Sequence, residues 1–125
     1  MADRPAQKVT GIGGVFLRAR DPQALVDWYA EHLGVPVQDD GYVVFTESRD
    51  AHVWAPFPED TDYWPAAKQA MVNFTVRDLD AMLEQLRTAG VEVDARIEEL
   101  EGIGRFAWGT DPEGNRFELW EPQTD

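Results

Sequence analysis

The sequence predicts an α+β fold built as two βαβββ modules, and three observations carry that expectation. The first is a weak internal duplication, in which VFLRARDPQALVDWYAEHLGVPV (15–37) returns as VNFTVRDLDAMLEQLRTAGVEV (72–93). Superposing Val15 on Val72 also brings Arg20 onto Arg77, Asp21 onto Asp78 and Ala24 onto Ala81; one deletion then brings Gly34 onto Gly90. The second is the hydrophobic period, which passes in each copy from strand alternation to helical spacing and back. The third is punctuation: an Asp stands where each helix should begin and a Gly where it should end.

Each element follows from local chemistry. Asp21 and Asp78 are placed to accept from orphan amides of a first helical turn, where Pro22 is also tolerated. Leu25, Trp28, Tyr29 and Leu33 recur at helical spacing, as do Leu79, Met82, Leu83 and Leu86. Gly34 and Gly90 supply the left-handed residue that ends many helices. Short alternating runs follow the first helix at 35–38, 42–47 and 51–55, with Asp40-Gly41 as a hairpin turn. Their counterparts after the second helix are 91–97, 105–110 and 115–121, with DPEGN (111–115) as the turn. The stretch PFPEDTDYWPAAKQ (56–69) holds three prolines and reads as a loop or linker. EELEGIG (98–104) reads as a second, mobile acidic loop. The expected organisation is a single domain over 1–125, with module one at about 10–56, a linker at 57–69 and module two at about 70–122.

Composition narrows the function. A chain of 125 residues fits one domain that buries roughly two thirds of its unfolded surface. Cysteine is absent, which excludes disulfides, thiolate metal sites and thiol nucleophiles. Twenty-four Asp and Glu against eleven Lys and Arg give a net charge of −13. Such a surface repels phosphate backbones and anionic lipid, so no nucleic-acid or membrane partner is expected, and a cationic guest is favoured. No apolar run approaches the roughly 20 residues of a membrane span, and MADRPAQK lacks the apolar core of a signal peptide. A soluble, cytoplasmic protein is the expectation. No GxSxG elbow, phosphate loop or HExxH helix occurs. Gly11-Ile12-Gly13-Gly14 enters a strand and does not open a helix, so it is no dinucleotide fingerprint.

Paired βαβββ modules and the ending GTDPEGNRFELWEP resemble the vicinal-oxygen-chelate superfamily of glyoxalase I, bleomycin-resistance proteins and extradiol dioxygenases. The resemblance runs from about Thr10 to Pro122. It implies a cupped mixed sheet around one ligand cavity, helices on the outer face, and a homodimer. Sorting strand side chains by alternation then assigns Gly14, Phe16, His52, Trp54, Met71, Asn73, Glu118 and Trp120 to the concave face. Phe16, Trp54, Met71, Asn73, Trp108 and Trp120 are the expected ligand-binding residues, although the tryptophans would serve equally well as core or dimer contacts.

Members resembling glyoxalase I place metal ligands on the first and fourth strands of each module. The first-strand positions here hold Gly14 and Met71, and neither suits a hard or borderline divalent ion. Glu118 matches the family's metal-binding carboxylate, and laying HVWAP on ELWEP sets His52 opposite it. Two competent positions are fewer than the three plus water of a catalytic zinc, so no cofactor is expected. If a divalent metal is present, His52 and Glu118 hold it. The leading expectation is a metal-free protein that sequesters an aromatic or cationic compound in a dimer cavity. One alternative is a lyase or isomerase in which His52 and Glu118 are the catalytic acid–base or metal-binding pair. Another is a non-catalytic module that binds a partner through its aromatic surface.

Overall fold

The computed structural model of the protein describes residues 6–46 and 51–124. Their elements run β1 (Val9–Ala19), α1 (Pro22–Leu33), β2 (Val43–Phe45), β3 (His52–Pro58), β4 (Ala70–Val76), α2 (Leu79–Thr88), β5 (Glu98–Leu100), β6 (Gly104–Thr110) and β7 (Arg116–Pro122). The strands are hydrogen-bonded in the order β2-β3-β1-β4-β7-β6-β5. β1 and β3 pair in parallel, while β2–β3, β5–β6 and β6–β7 are antiparallel, so the sheet is mixed and the fold α+β, as the sequence predicts. The chain divides into two compact units, one of Met1–Ile12 with Asn73–Asp125, the other Gly13–Val72.

Both helices start and stop as their sequences dictate. Asp21 accepts from the Ala24 amide and Asp78 from the Ala81 amide, each at 3.0 Å. Gly34 ends α1 at φ 66°, and its amide bonds back to the Ala30 carbonyl. Past α2, Gly90 takes φ 81°; its amide reaches Arg87 and that of Val91 reaches Leu86, the paired bonds of a Schellman ending. Beneath α2, Leu79, Met82 and Leu83 pack with Val76, Ala107 and Leu119, and Phe74 and Phe117 flank them. In Gly13–Val72, α1 meets β3 through Tyr29, whose ring lies 4.4 Å from that of Trp54.

Several strands differ from expectation for identifiable reasons. The run at 35–38 makes one bridge, Val37 to Val43, because Pro36 has no amide to give a ladder. Likewise 91–97 yields a single bridge, Val93 to Gly109. The expected strand at 42–47 forms over Val43–Phe45; Glu47 lies outside the described residues. β3 runs on through Pro56 to Pro58, into the expected linker. It can do so because β2 pairs only with residues 52–54, so these prolines owe no amide to a neighbour on that side. The expected loop at 98–104 is instead the edge strand β5 and a tight turn into β6, with Gly102 at φ 79° and the Ile103 amide on the Leu100 carbonyl. Its glutamates suit an edge, where charge discourages pairing with a foreign strand.

The remaining linker is built around one side chain. Arg18 of β1 donates from Nε to the Lys68 carbonyl, from one terminal nitrogen to Glu59 and Thr61, and from the other to Trp64 and Pro65, all at 2.8–2.9 Å. Its guanidinium also lies 5.1 Å from the centre of the Trp64 ring, and Trp64 is 2% exposed. The segment 59–68 is therefore an ordered, arginine-centred loop.

Candidate functional site

In the unit containing Asn73–Asp125, the β6–β7 register sets Trp108 opposite Glu118 and Phe106 opposite Trp120. Alternation puts these four on one face, while Ala107, Leu119 and Phe117 take the other against α2. Glu118 is 2% exposed. Its Oε2 accepts from Trp108 Nε1 at 2.9 Å, and its Oε1 accepts from Asn73 Nδ2 at 2.6 Å. The Asn73 amide turns its nitrogen to Glu118, which leaves its Oδ1 without that partner. That oxygen is buried and meets no donor.

The aromatic residues of this unit play different parts. Trp108 is wholly buried, with the Arg96 guanidinium 4.4 Å and that of Arg116 5.5 Å from its ring centre. Arg116 is tied in turn to Asp94 at 2.9 Å. Its ring is thus covered by two guanidinium groups while its indole N–H holds Glu118. Trp120 is partly exposed and stacks on Phe106 at 5.9 Å with planes 4° apart; its indole N–H holds the Ile103 carbonyl. That both arginines cover Trp108 escaped the sequence reading. Nothing in the spacing of Arg96, Trp108 and Arg116 marks them as partners before β6 and β7 are paired.

In Gly13–Val72 the expected face assignment needs correction. The parallel register sets Gly14 opposite Val53 and Phe16 opposite Ala55. His52 and Trp54 therefore lie on the other side of the strand, where Trp54 meets Tyr29 of α1. Laying HVWAP on ELWEP through the shared Trp and Pro was one residue out of step, and such a slip turns every side chain over. Trp54 plays the helix-facing part that Phe117 and Leu119 play on β7. Phe16 stays on the face away from α1, 5.3 Å from Phe57. Met71 is 1% exposed.

The donor set around Glu118 does not fit a divalent metal. A Cβ at Gly14 would meet the Val53 carbonyl oxygen at 2.7 Å, so β1 has no room for a ligating side chain there. Both oxygens of Glu118 already hold protein donors. Among the described residues no three His, Cys, Asp or Glu come together as a metal-binding group.

Comparison with known proteins places this geometry. Residues 11–119 match the model of the Glyoxalase/Bleomycin resistance protein/Dioxygenase superfamily, and the chain belongs to that superfamily. No curated protein matches it. Among solved structures, methylmalonyl-CoA epimerase from Mycobacterium tuberculosis is 23% identical with a TM-score of 0.68, covering 97% of this chain and 93% of that one. A variant Streptomyces coelicolor methylmalonyl-CoA epimerase in complex with 2-nitronate-propionyl-CoA is 18% identical with a TM-score of 0.73, covering 94% and 100%. A Legionella pneumophila protein described as an NAD-dependent benzaldehyde dehydrogenase is 15% identical with a TM-score of 0.62, covering 88% and 98%. At these identities the likeness establishes the fold, and one fold hosts many chemistries. No helix among the described residues is long and apolar enough to cross a membrane.

Proposed function

We propose that this member of the superfamily binds a small molecule without a metal, anchoring it on the Asn73–Glu118 face. One observation carries the reading: Asn73 Oδ1 is a buried acceptor with no donor, beside a carboxylate whose two oxygens are both engaged. An unmet buried acceptor costs roughly 1–3 kcal/mol, which a ligand N–H placed there would recover. The net charge of −13 favours a cationic donor, and the Phe106–Trp120 stack on the same face favours a flat ring. The reading retains one domain over 1–125 acting as a cytoplasmic homodimer.

Two experiments test it together. Elemental analysis of protein purified without chelator should find far less than one divalent metal per chain. Protonated aromatic amines, which carry the N–H that Asn73 Oδ1 lacks, should quench tryptophan fluorescence saturably, and Asn73→Leu should weaken that binding by roughly tenfold. A stoichiometric metal that disappears in Glu118→Ala would overturn the metal-free reading.

A second reading, a lyase or isomerase that moves a proton with Glu118, draws on the burial of that carboxylate and on the epimerases among the similar folds. Deuterium exchange into a carbon acid by the wild type, absent in Glu118→Gln, would decide for it. His52 enters that reading less readily, because it shares a side of β3 with the helix-facing Trp54.

A further inference from the structure

A cleft of about 230 Å³ opens within Gly13–Val72, on the α1 side of β3. Its floor is apolar: Val26 of α1 and Val43 of β2 are each at most 6% exposed. Its walls carry the Trp54 indole and, at the rim, Tyr42, which is 56% exposed. Tyr29 backs Trp54 from α1. Asp40 also lines the opening, and its Oδ1 accepts the Tyr42 amide at 3.0 Å, which fixes the carboxylate beside the aromatic rim. Among the described residues no Lys or Arg lines the cleft, and the chain carries a net charge of −13.

We propose that this cleft is a second binding site, taking a small ammonium compound with an apolar body. The reasoning is chemical. Two electron-rich ring faces and one carboxylate around an apolar floor form the arrangement that holds a weakly hydrated cation, and nothing in the lining repels positive charge. The volume lies below the 300–1,000 Å³ typical of drug-sized pockets, so the guest is small, with a single ring or short chain beside its charged nitrogen. A phosphate or carboxylate guest is disfavoured by Asp40 and by the field of the whole chain. The site depends on none of the residues that anchor the first reading, so the two stand or fall separately.

Benzyltrimethylammonium is a suitable probe, titrated by calorimetry and tryptophan fluorescence, with benzyl alcohol as the neutral control. Saturable binding at roughly millimolar concentration is expected. Asp40→Asn keeps an oxygen for the Tyr42 amide while removing the charge. It should weaken the cation roughly three- to tenfold and leave benzyl alcohol unchanged. Tyr42→Ala, at an exposed rim position, should weaken the cation to a similar degree, and Asn73→Leu should have no effect. Failure of the probe to saturate would overturn the proposal, as would unaltered affinity in both Asp40→Asn and Tyr42→Ala. An equal loss of cation and neutral control in Asp40→Asn would also overturn it. Loss of binding in Asn73→Leu alone would assign the probe to the other face and overturn this site.

Discussion

The two units carry one repeat and treat the sheet face away from their helices in opposite ways. In the unit with Asn73–Asp125, β4 and β7 bring Asn73 and Glu118 together, and Trp108 closes the set from β6. A buried carboxyl is accommodated there because adjacent strands offer two N–H donors to it. In Gly13–Val72 the corresponding place is shut by backbone: Gly14 lies so close to Val53 that a methyl group would collide with its carbonyl. The polar investment moves two turns of the pleat along, to Arg18, whose donors order a loop. Duplication thus supplies a scaffold twice, and neighbouring donors decide which copy can keep a buried carboxyl.

The largest expected effect comes from removing Arg18. Arg18→Met keeps an apolar stem but withdraws donors from five carbonyls of 59–68, and should cost about 3 kcal/mol, or roughly 10 °C in melting temperature. Chemical and thermal denaturation measure it, and Arg18→Lys should recover less than half because an ammonium cannot span the same fan of acceptors. A Met variant as stable as the wild type would break the contrast between the units. Next in size is Gly14→Ala, which should cost about 1–3 kcal/mol through the Val53 clash. By comparison Gly11→Ala meets only Thr75 Oγ1 at 3.6 Å and should stay within about 0.5 kcal/mol of wild type.

The smallest effect sharpens the electrostatics. The Arg105 guanidinium hydrogen-bonds Asp80 at 2.9 and 3.1 Å and holds its carboxyl below its ordinary value of 3.8. A carboxyl lowered by folding stabilises the fold above its unfolded pKa and ceases to do so as pH falls through the folded value. Asp80 is largely exposed, so screening keeps the contribution small. The melting-temperature gap between wild type and Asp80→Asn should therefore be slight at pH 7, vanish at pH 2 and narrow in high salt.

Much of this was legible in the sequence, where the information was local. The Asp caps, the glycine stops, and the separation of Glu118 and Trp120 from Phe117 and Leu119 follow from periodicity alone. The face of His52 and Trp54 was not legible, because HVWAP and ELWEP share two residues that favour a wrong register, and only the pairing of Gly14 with Val53 corrects it. Arg18 was hidden for a different reason. Its partners are five backbone carbonyls, and a carbonyl leaves no mark in a sequence. Trp64, amid prolines and aspartates, is the one residue in that stretch whose size hints at burial.

The chemistry of the Arg18 acceptors has a consequence for acid. A protein with 24 carboxyl groups is exposed to low pH, since every ion pair that uses one fails as it protonates. The Arg18 fan uses none: its acceptors are amide oxygens with no proton to gain. Protonation of the surface carboxylates therefore leaves the acceptors of these five hydrogen bonds chemically unchanged.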